Sequence, residues 1–213
     1  MGRVRAYVGM GSNVGRSADT LTAAVHALAA LPRVRLVGVS RLYATAPVGV
    51  TDQPDFHNAA VALDVPGDPE PASGALALLV ALKRLERAFG RRDGPRWGPR
   101  ELDLDLLVFG RHAIRAERPP AARSGDPDRP GAQWLAVPHV SARERLFVLA
   151  PLADLAPRLR PPGWGETVAT ARARAEIREG PSAVRPVAAW DRVAGAWRPG
   201  SAANGEPDGS LVC

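Results

Sequence analysis

The chain opens with strict alternation. Val4, Ala6 and Val8 fall on one side of an extended run and Arg3, Arg5 and Tyr7 on the other, which predicts a strand over Arg3 to Gly9. The run enters Gly9-Met10-Gly11-Ser12-Asn13-Val14-Gly15, read as a glycine-rich turn. The period then becomes helical. Leu21, Val25, Leu28 and Leu31 share one stripe, with Ser17 or Asp19 as cap and Pro32 as stop. Val34 to Tyr43 predicts a second strand, Ala44 to Asp55 a loop, and Phe56 to Val65 a third strand. Ala72 to Phe89 predicts a helix with Leu76, Leu79, Val80, Leu82 and Leu85 inward, ended by Gly90. Arg91 to Pro99 is a polar loop, and Glu101 to Phe109 predicts a fourth strand.

The order β-α-β-β-α-β predicts an α+β fold: a ferredoxin-like sandwich, an antiparallel sheet with helices packed on it. Such a fold hosts many functions, so function must be argued from the site. Past Gly110 the pattern weakens. Arg115 to Gly131 is rich in Pro, Ala, Arg and Asp and predicts a flexible insertion at about 115–131. Trp134 to His139 resumes order, and Ala142 to Leu155 has helical spacing interrupted at Pro151. Residues 1–179 are expected to form one domain, and 180–213 a disordered tail with Trp190 and Trp197 isolated in it.

Composition narrows the chemistry. The net charge of +6 suits polyanionic partners, nucleotides among them, and fits equally a basic solvated surface. Lys83 is the only lysine, which excludes a P-loop and leaves phosphate to arginine, whose planar fork matches phosphate oxygens. The single cysteine, Cys213, excludes an internal disulfide or thiol zinc site. With no apolar leader and no long apolar window, a cytoplasmic chain without membrane contact is expected.

The strongest signal is Arg96-Trp97-Gly98-Pro99-Arg100-Glu101-Leu102-Asp103-Leu104-Asp105-Leu106-Leu107. Residues two apart on a strand share a face, so Asp103 and Asp105 project together with Cα atoms roughly 6.6–6.8 Å apart. Two such carboxylates repel unless a cation lies between them. Leu102, Leu104 and Leu106 take the buried face. Arg91, Arg92, Arg96 and Arg100 cluster around Trp97, one loop before the pair, a set able to hold a triphosphate. Thr45 to Gly49 and Phe56-His57-Asn58 bring together an aromatic face and an amide that both donates and accepts. His139 stands near Arg145 and Phe147, where a turn-and-cap role is the plain alternative. Gly9 and Gly11 nearly spell a dinucleotide fingerprint, but Val14 occupies its third glycine. A polymerase-β-type site would need the aspartates shortly after Gly11-Ser12, and no G-x-S-x-G esterase elbow occurs.

On these residues the chain resembles the 6-hydroxymethyl-7,8-dihydropterin pyrophosphokinases of folate biosynthesis. The resemblance runs from about Val4 to Gly165 through five ordered blocks. They are Gly11-Ser12-Asn13; Tyr43 with Thr45, Pro47 and Gly49; Asp52 to Ala60; Arg96 to Asp105; and Val137-Pro138-His139 with Arg145 and Phe147. It implies transfer of the terminal diphosphate of ATP to the pterin hydroxymethyl group, leaving AMP. It also implies two Mg²⁺ ions on Asp103 and Asp105. Arg91, Arg92 and Arg100 would stabilise the transferring group, with Asp105 beside them as a catalytic residue. Glu86, Arg91, Arg100, Leu135, His139 and Arg145 would line the ATP side. Thr45, Val48, Phe56, Asn58, Trp97 and Phe147 would form the pterin pocket, the ring sandwiched between Phe56 and Phe147. A monomer acting on small molecules is implied, with no nucleic acid partner. Departures are Ala46 for a frequent proline, a loop from Gly90 to Trp97 one residue short, and Asp93 where an arginine is expected. A nucleic-acid-binding module of the same strand order would show paired aromatics on its central strands, and Arg3 to Gly9 offers only Tyr7. A silent relative would have lost Asp103, Asp105 or Arg100, and all three are present.

Overall fold

The computed structural model describes residues 2–47, 52–91, 99–124 and 131–199. Its elements are β1 (Arg3–Ser12), α1 (Ser17–Ala29), β2 (Arg35–Val39), β3 (Leu42–Thr45), β4 (Phe56–Pro66), α2 (Pro71–Ala88), β5 (Asp103–Phe109), β6 (Ile114–Glu117), β7 (Trp134–Val137), α3 (Leu146–Leu155), α4 (Val168–Glu179), β8 (Val184–Asp191) and β9 (Ala196–Arg198). Among the described residues the main sheet runs β5-β1-β4-β3-β8-β9, β2 also pairs β4, and β6 and β7 form a separate ribbon. The pairings are antiparallel.

Strand β4 explains the layering. Its run Asn58 to Val65 is buried throughout, and Ala59 to Leu63 within it reads as continuously apolar rather than alternating. One face packs with Leu21, Val25 and Leu28 of α1 and Leu79 and Leu82 of α2. The other face meets Leu149 and Leu152 of α3 and Val168 and Ala171 of α4. Asp154 on α3 accepts from Arg41 at 2.7 Å and from the Tyr43 hydroxyl at 3.0 Å, fastening α3 to β3. Burial, then the Asp154 charge, pushes the Tyr43 phenol up to about 12.

Four expectations change. First, β1 continues through Ser12, so Gly9 and Gly11 are strand positions rather than turn positions. A Cβ at Gly9 would lie 3.3 Å from the Leu107 side chain, and one at Gly11 3.3 Å from Asn58 Oδ1. These glycines permit close approach. Second, the second strand is broken into β2 and β3 at Ser40. The Ser40 N–H donates to Ala60 O at 3.0 Å and Ser40 Oγ accepts from Ala60 N at 2.8 Å, so a side chain replaces one rung of the ladder and nothing buried is orphaned. Third, residues 115–117 of the expected flexible insertion lie in β6, paired to β7. Its centre, 125–130, lies outside the described residues.

Fourth, the expected disordered tail is corrected over residues 184–198. Strand β8 pairs with β3 from Leu42↔Ala188 to Thr45↔Val184. Trp190 and Trp197 meet edge-to-face with centroids 4.8 Å apart, and Trp197 Nε1 donates to Ser40 O at 2.8 Å. Pro186 within the run masked the strand signal, while the two tryptophans supply apolar area that the composition understates. Among the described residues no helix is long and apolar enough to cross a membrane.

Candidate active site

Strand β5 lies at one edge of the main sheet. Register puts Asp103 opposite Gly11 and Asp105 opposite Gly9, so the carboxylates rise beside two positions that lack side chains. Leu104 and Leu106 turn the other way and are buried. A small cleft of about 50 Å³ opens on the aspartate face, lined by Asn58, Asp103, Asp105 and Phe147 over the β1 glycines. Phe147 reaches it from the first turn of α3 and Asn58 from β4.

Cations hold the strand in place. Glu86 ends the inward stripe of α2 and is buried. Its Oε1 accepts from Leu104 N at 2.7 Å, from Lys83 Nζ at 2.7 Å and faces Arg91 Nη1 at 2.8 Å. Burial pushes the Glu86 carboxyl up, and Lys83 and Arg91 oppose that shift. Lys83 also donates to Leu104 O at 3.0 Å, and Arg91 pairs with Asp103. Burial disfavours charge on Asp103 too, but Lys83, Arg91 and Arg100 together hold its carboxyl down at about 2. The two acids differ in access: the Asp103 side chain is 36% exposed, the Glu86 side chain 3%.

Asn13 clips three segments together. Its Oδ1 accepts from Arg100 N at 2.8 Å, its N–H donates to Arg100 O at 3.0 Å, and its Nδ2 donates to Gln53 Oε1 at 2.9 Å. The segment entering β5 is thereby tied to the loop that precedes β4. Asn58 Nδ2 donates to Thr45 Oγ1 at 2.8 Å. Ser17, expected as a cap for α1, instead bonds His57 Nδ1 at 2.6 Å.

The expected site residues are brought together unevenly. Asp103, Asp105, Asn58 and Phe147 share the cleft, with Arg91 and Arg100 at its cationic end. Thr45 stands behind Asn58. Phe56 begins β4 opposite Thr45, outside the cleft lining. Glu86 lies beneath the site as a tether. The Leu135 side chain turns into the core, because alternation along β7 puts Leu135 and Val137 inward. His139 follows the cis Val137–Pro138 bond and its N–H donates to Leu107 O at 2.9 Å. Arg145 reaches over the Phe147 ring at 5.7 Å and lines an open depression of about 600 Å³ with Glu144, Arg178 and Glu179. Val48, Arg92, Arg96 and Trp97 lie outside the described residues. Sequence reasoning gave Asn13 and Lys83 no part in the site. The signal for Lys83 was present: a sole lysine three residues before Glu86 on the same helix.

Two carboxylates ringed by cations on an antiparallel α+β sheet define a class, that of enzymes that handle phosphate. Comparison with known proteins sharpens it. Residues 7–157 match the family described as 7,8-dihydro-6-hydroxymethylpterin-pyrophosphokinase (HPPK). The chain belongs to that family. It is 43% identical over 158 residues to the 2-amino-4-hydroxy-6-hydroxymethyldihydropteridine pyrophosphokinase of Pseudomonas aeruginosa, covering 74% of this chain and 84% of that one. It is 42% identical over 170 residues to the enzyme of the same name from Methylorubrum extorquens, covering 80% and 92%. The crystal structure of wild-type Plasmodium falciparum HPPK-DHPS with pteroate superposes with a TM-score of 0.61 at 16% identity, covering 83% of this chain and 43% of that one. At that identity the likeness speaks for the fold alone.

Proposed function

We propose that this chain transfers the terminal diphosphate of ATP to the hydroxymethyl group of 6-hydroxymethyl-7,8-dihydropterin in folate biosynthesis, on a ferredoxin-like sandwich in which β2 and β3 together form one strand. The observation that carries the reading is that Asp103 and Asp105 rise from β5 into the cleft that Asn58 and Phe147 also line. Membership of the family and the relatives' names supply the substrate.

The donor set fits Mg²⁺. Two carboxylates share one strand face, Asp103 is held ionised, and a hard cation takes such oxygens while keeping sites for water and phosphate. Asp103 and Asp105 would hold the metal, two ions by the resemblance, which when bound neutralises charge on the phosphate oxygens. Arg91 and Arg100, with Arg92, stabilise charge on the transferring group. His139 and Arg145 attend the ATP side. Thr45, Val48, Phe56, Asn58, Trp97 and Phe147 attend the pterin, Asn58 offering its amide to the ring edge and Phe147 its face.

The pterin hydroxyl oxygen forms a bond to the β-phosphorus. The bond from that phosphorus to the oxygen shared with the α-phosphorus breaks, AMP leaves with the electron pair, and the hydroxyl proton is lost. Asp105 would help remove that proton. The reaction asks for no membrane or nucleic acid, and a cytoplasmic monomer suits it.

The test is to incubate purified protein with ATP, Mg²⁺ and the pterin and to resolve the nucleotides. AMP formed only when the pterin is present is expected. ADP, or AMP that does not depend on the pterin, would overturn the reading.

A further inference from the structure

Strand β4 begins Phe56-His57-Asn58, and alternation sends these side chains to two faces. Asn58 takes the aspartate face, where it lines the cleft and bonds the Thr45 hydroxyl, and Phe56 shares that face. His57 takes the other face with Ala59 and Val61, which pack into the core under α1. There its Nδ1 bonds Ser17 Oγ at 2.6 Å. Ser17 is the first residue of α1 and is buried, 7% exposed. Burial holds the His57 imidazole below its ordinary range against a smaller pull from Asp55, so the pair stays neutral near pH 7.

Three strands end together at this point: β1 at Ser12, β3 at Thr45 and β4 at Phe56. Ladder bonds join them within the sheet, His57 facing Ser12 on one side and Ala44 on the other. Such bonds lie between strands and resist bending across the sheet only weakly. The His57–Ser17 bond runs the other way, from the sheet end to the helix layer. Ser12 is buried too, and its hydroxyl has no partner among the described residues. An apolar side chain in place of His57 would add the Ser17 hydroxyl as a second buried group left unpaired.

We infer that His57 is a positioning residue for the pterin: through Ser17 it fixes the start of β4 against α1, and with it the placing of Phe56 and Asn58. The inference rests on the diphosphotransferase reading above, which sets the pterin on those two residues. The phosphate side is held by different bonds. Glu86 and Lys83 of α2 fasten Leu104, and Arg91 pairs with Asp103, none of which passes through His57. Loss of the His57 bond therefore acts on one substrate and spares the other.

The test is steady-state AMP formation by the parent, His57→Leu, His57→Asn and Ser17→Ala, with a thermal melt of each. Pterin is varied at saturating Mg-ATP, and ATP at saturating pterin. His57→Leu and Ser17→Ala should raise the KM for pterin roughly tenfold, the worth of one shielded hydrogen bond, and leave the KM for ATP unchanged. The double variant should be no worse than His57→Leu, because both changes remove the same bond. His57→Asn, whose amide stands where Nδ1 does, should keep most of the parental KM. An unmoved pterin KM in His57→Leu and Ser17→Ala, equal rises for pterin and ATP, or His57→Asn as impaired as His57→Leu would overturn the inference. Should His57→Leu fail to fold, Ser17→Ala removes the bond by deleting one oxygen and decides the matter with His57→Asn. An active parent with unmoved variants sinks the inference alone; a parent that forms no pterin-dependent AMP sinks the functional reading and the inference with it.

Discussion

Replacing Glu86 by Ala should cost about 3 kcal/mol of folding stability and carry the aspartates out of place with it. The side chain is buried and accepts from Leu104 N while neutralising Lys83 and Arg91. Breaking a buried ion pair by removing one partner costs roughly 3–5 kcal/mol. The lower end applies, because Lys83 keeps Leu104 O and Arg91 keeps Asp103. The Leu104 N–H, however, loses its acceptor inside the core, a penalty of about 1–3 kcal/mol included in that total. For a chain of this size 3 kcal/mol corresponds to a fall in Tm of roughly 6–12 °C. Glu86→Gln retains a carbonyl oxygen for Leu104 N and should lose about half as much. Urea denaturation and thermal melts of both variants measure this, with AMP formation followed alongside. Turnover should drop at least tenfold in Glu86→Ala, since β5 is released from α2 next to Asp103. A loss under about 1 kcal/mol in Glu86→Ala, or equal losses in the Ala and Gln variants, would refute the tether.

Asp103→Asn and Asp105→Asn should melt within a few degrees of the parent yet lose roughly 10² or more in AMP formation; either variant retaining parental turnover contradicts the proposed metal site. Asp64 accepts from Arg5 at 2.6 Å and Arg35 at 2.5 Å, and those bonds hold its carboxyl down at about 2. A depressed carboxyl stabilises the fold above its unfolded value near 3.9, and that contribution fades as pH falls toward 2. With both arginines largely solvated, Asp64→Asn should cost about 1–2 kcal/mol at neutral pH and almost nothing near pH 2, as read by urea midpoints at both. Trp197→Phe keeps an aromatic ring against Trp190 but loses the bond to Ser40 O, and should cost about 1 kcal/mol and speed amide exchange in β8. Exchange as slow as in the parent would separate β9 from the stability of β8.

Much of the fold was legible because each central element repeats one period. The α1 stripe and the paired aspartates of β5 needed no distant partner to interpret. What escaped depended on contacts that no local pattern encodes. Ser40 breaks a strand because its hydroxyl takes the place of a ladder acceptor for Ala60. Gly9 and Gly11 look like turn residues until Leu107 and Asn58 are seen against them. Asn13 was visible as a motif, but its purpose lies in Arg100 and Gln53, far along the chain. That the Leu135 side chain enters the core is a question of parity, which strand alternation settles as soon as the inward residues are known.

The family match stops at residue 157, yet the supports of the site continue past it. Arg145 and Phe147 open α3, and the last turn of α4 grips that same segment: Glu179 Oε1 accepts from Leu146 N at 3.4 Å, and Arg178 donates to Glu144 O. Strand β8 then starts beside Thr45, whose hydroxyl holds Asn58, and runs back along β3 to Leu42. Without β8, the four-residue strand β3 would present an unpaired edge beside the cleft. Backbone pairing of this kind, with Val184, Ala171 and Ala175 filling space behind it, places weak demands on residue identity. A pair of same-face carboxylates with a buried acid under them places strong ones. The stretch after residue 157 can therefore drift in sequence until it reads as a linker while still holding two walls of the cleft.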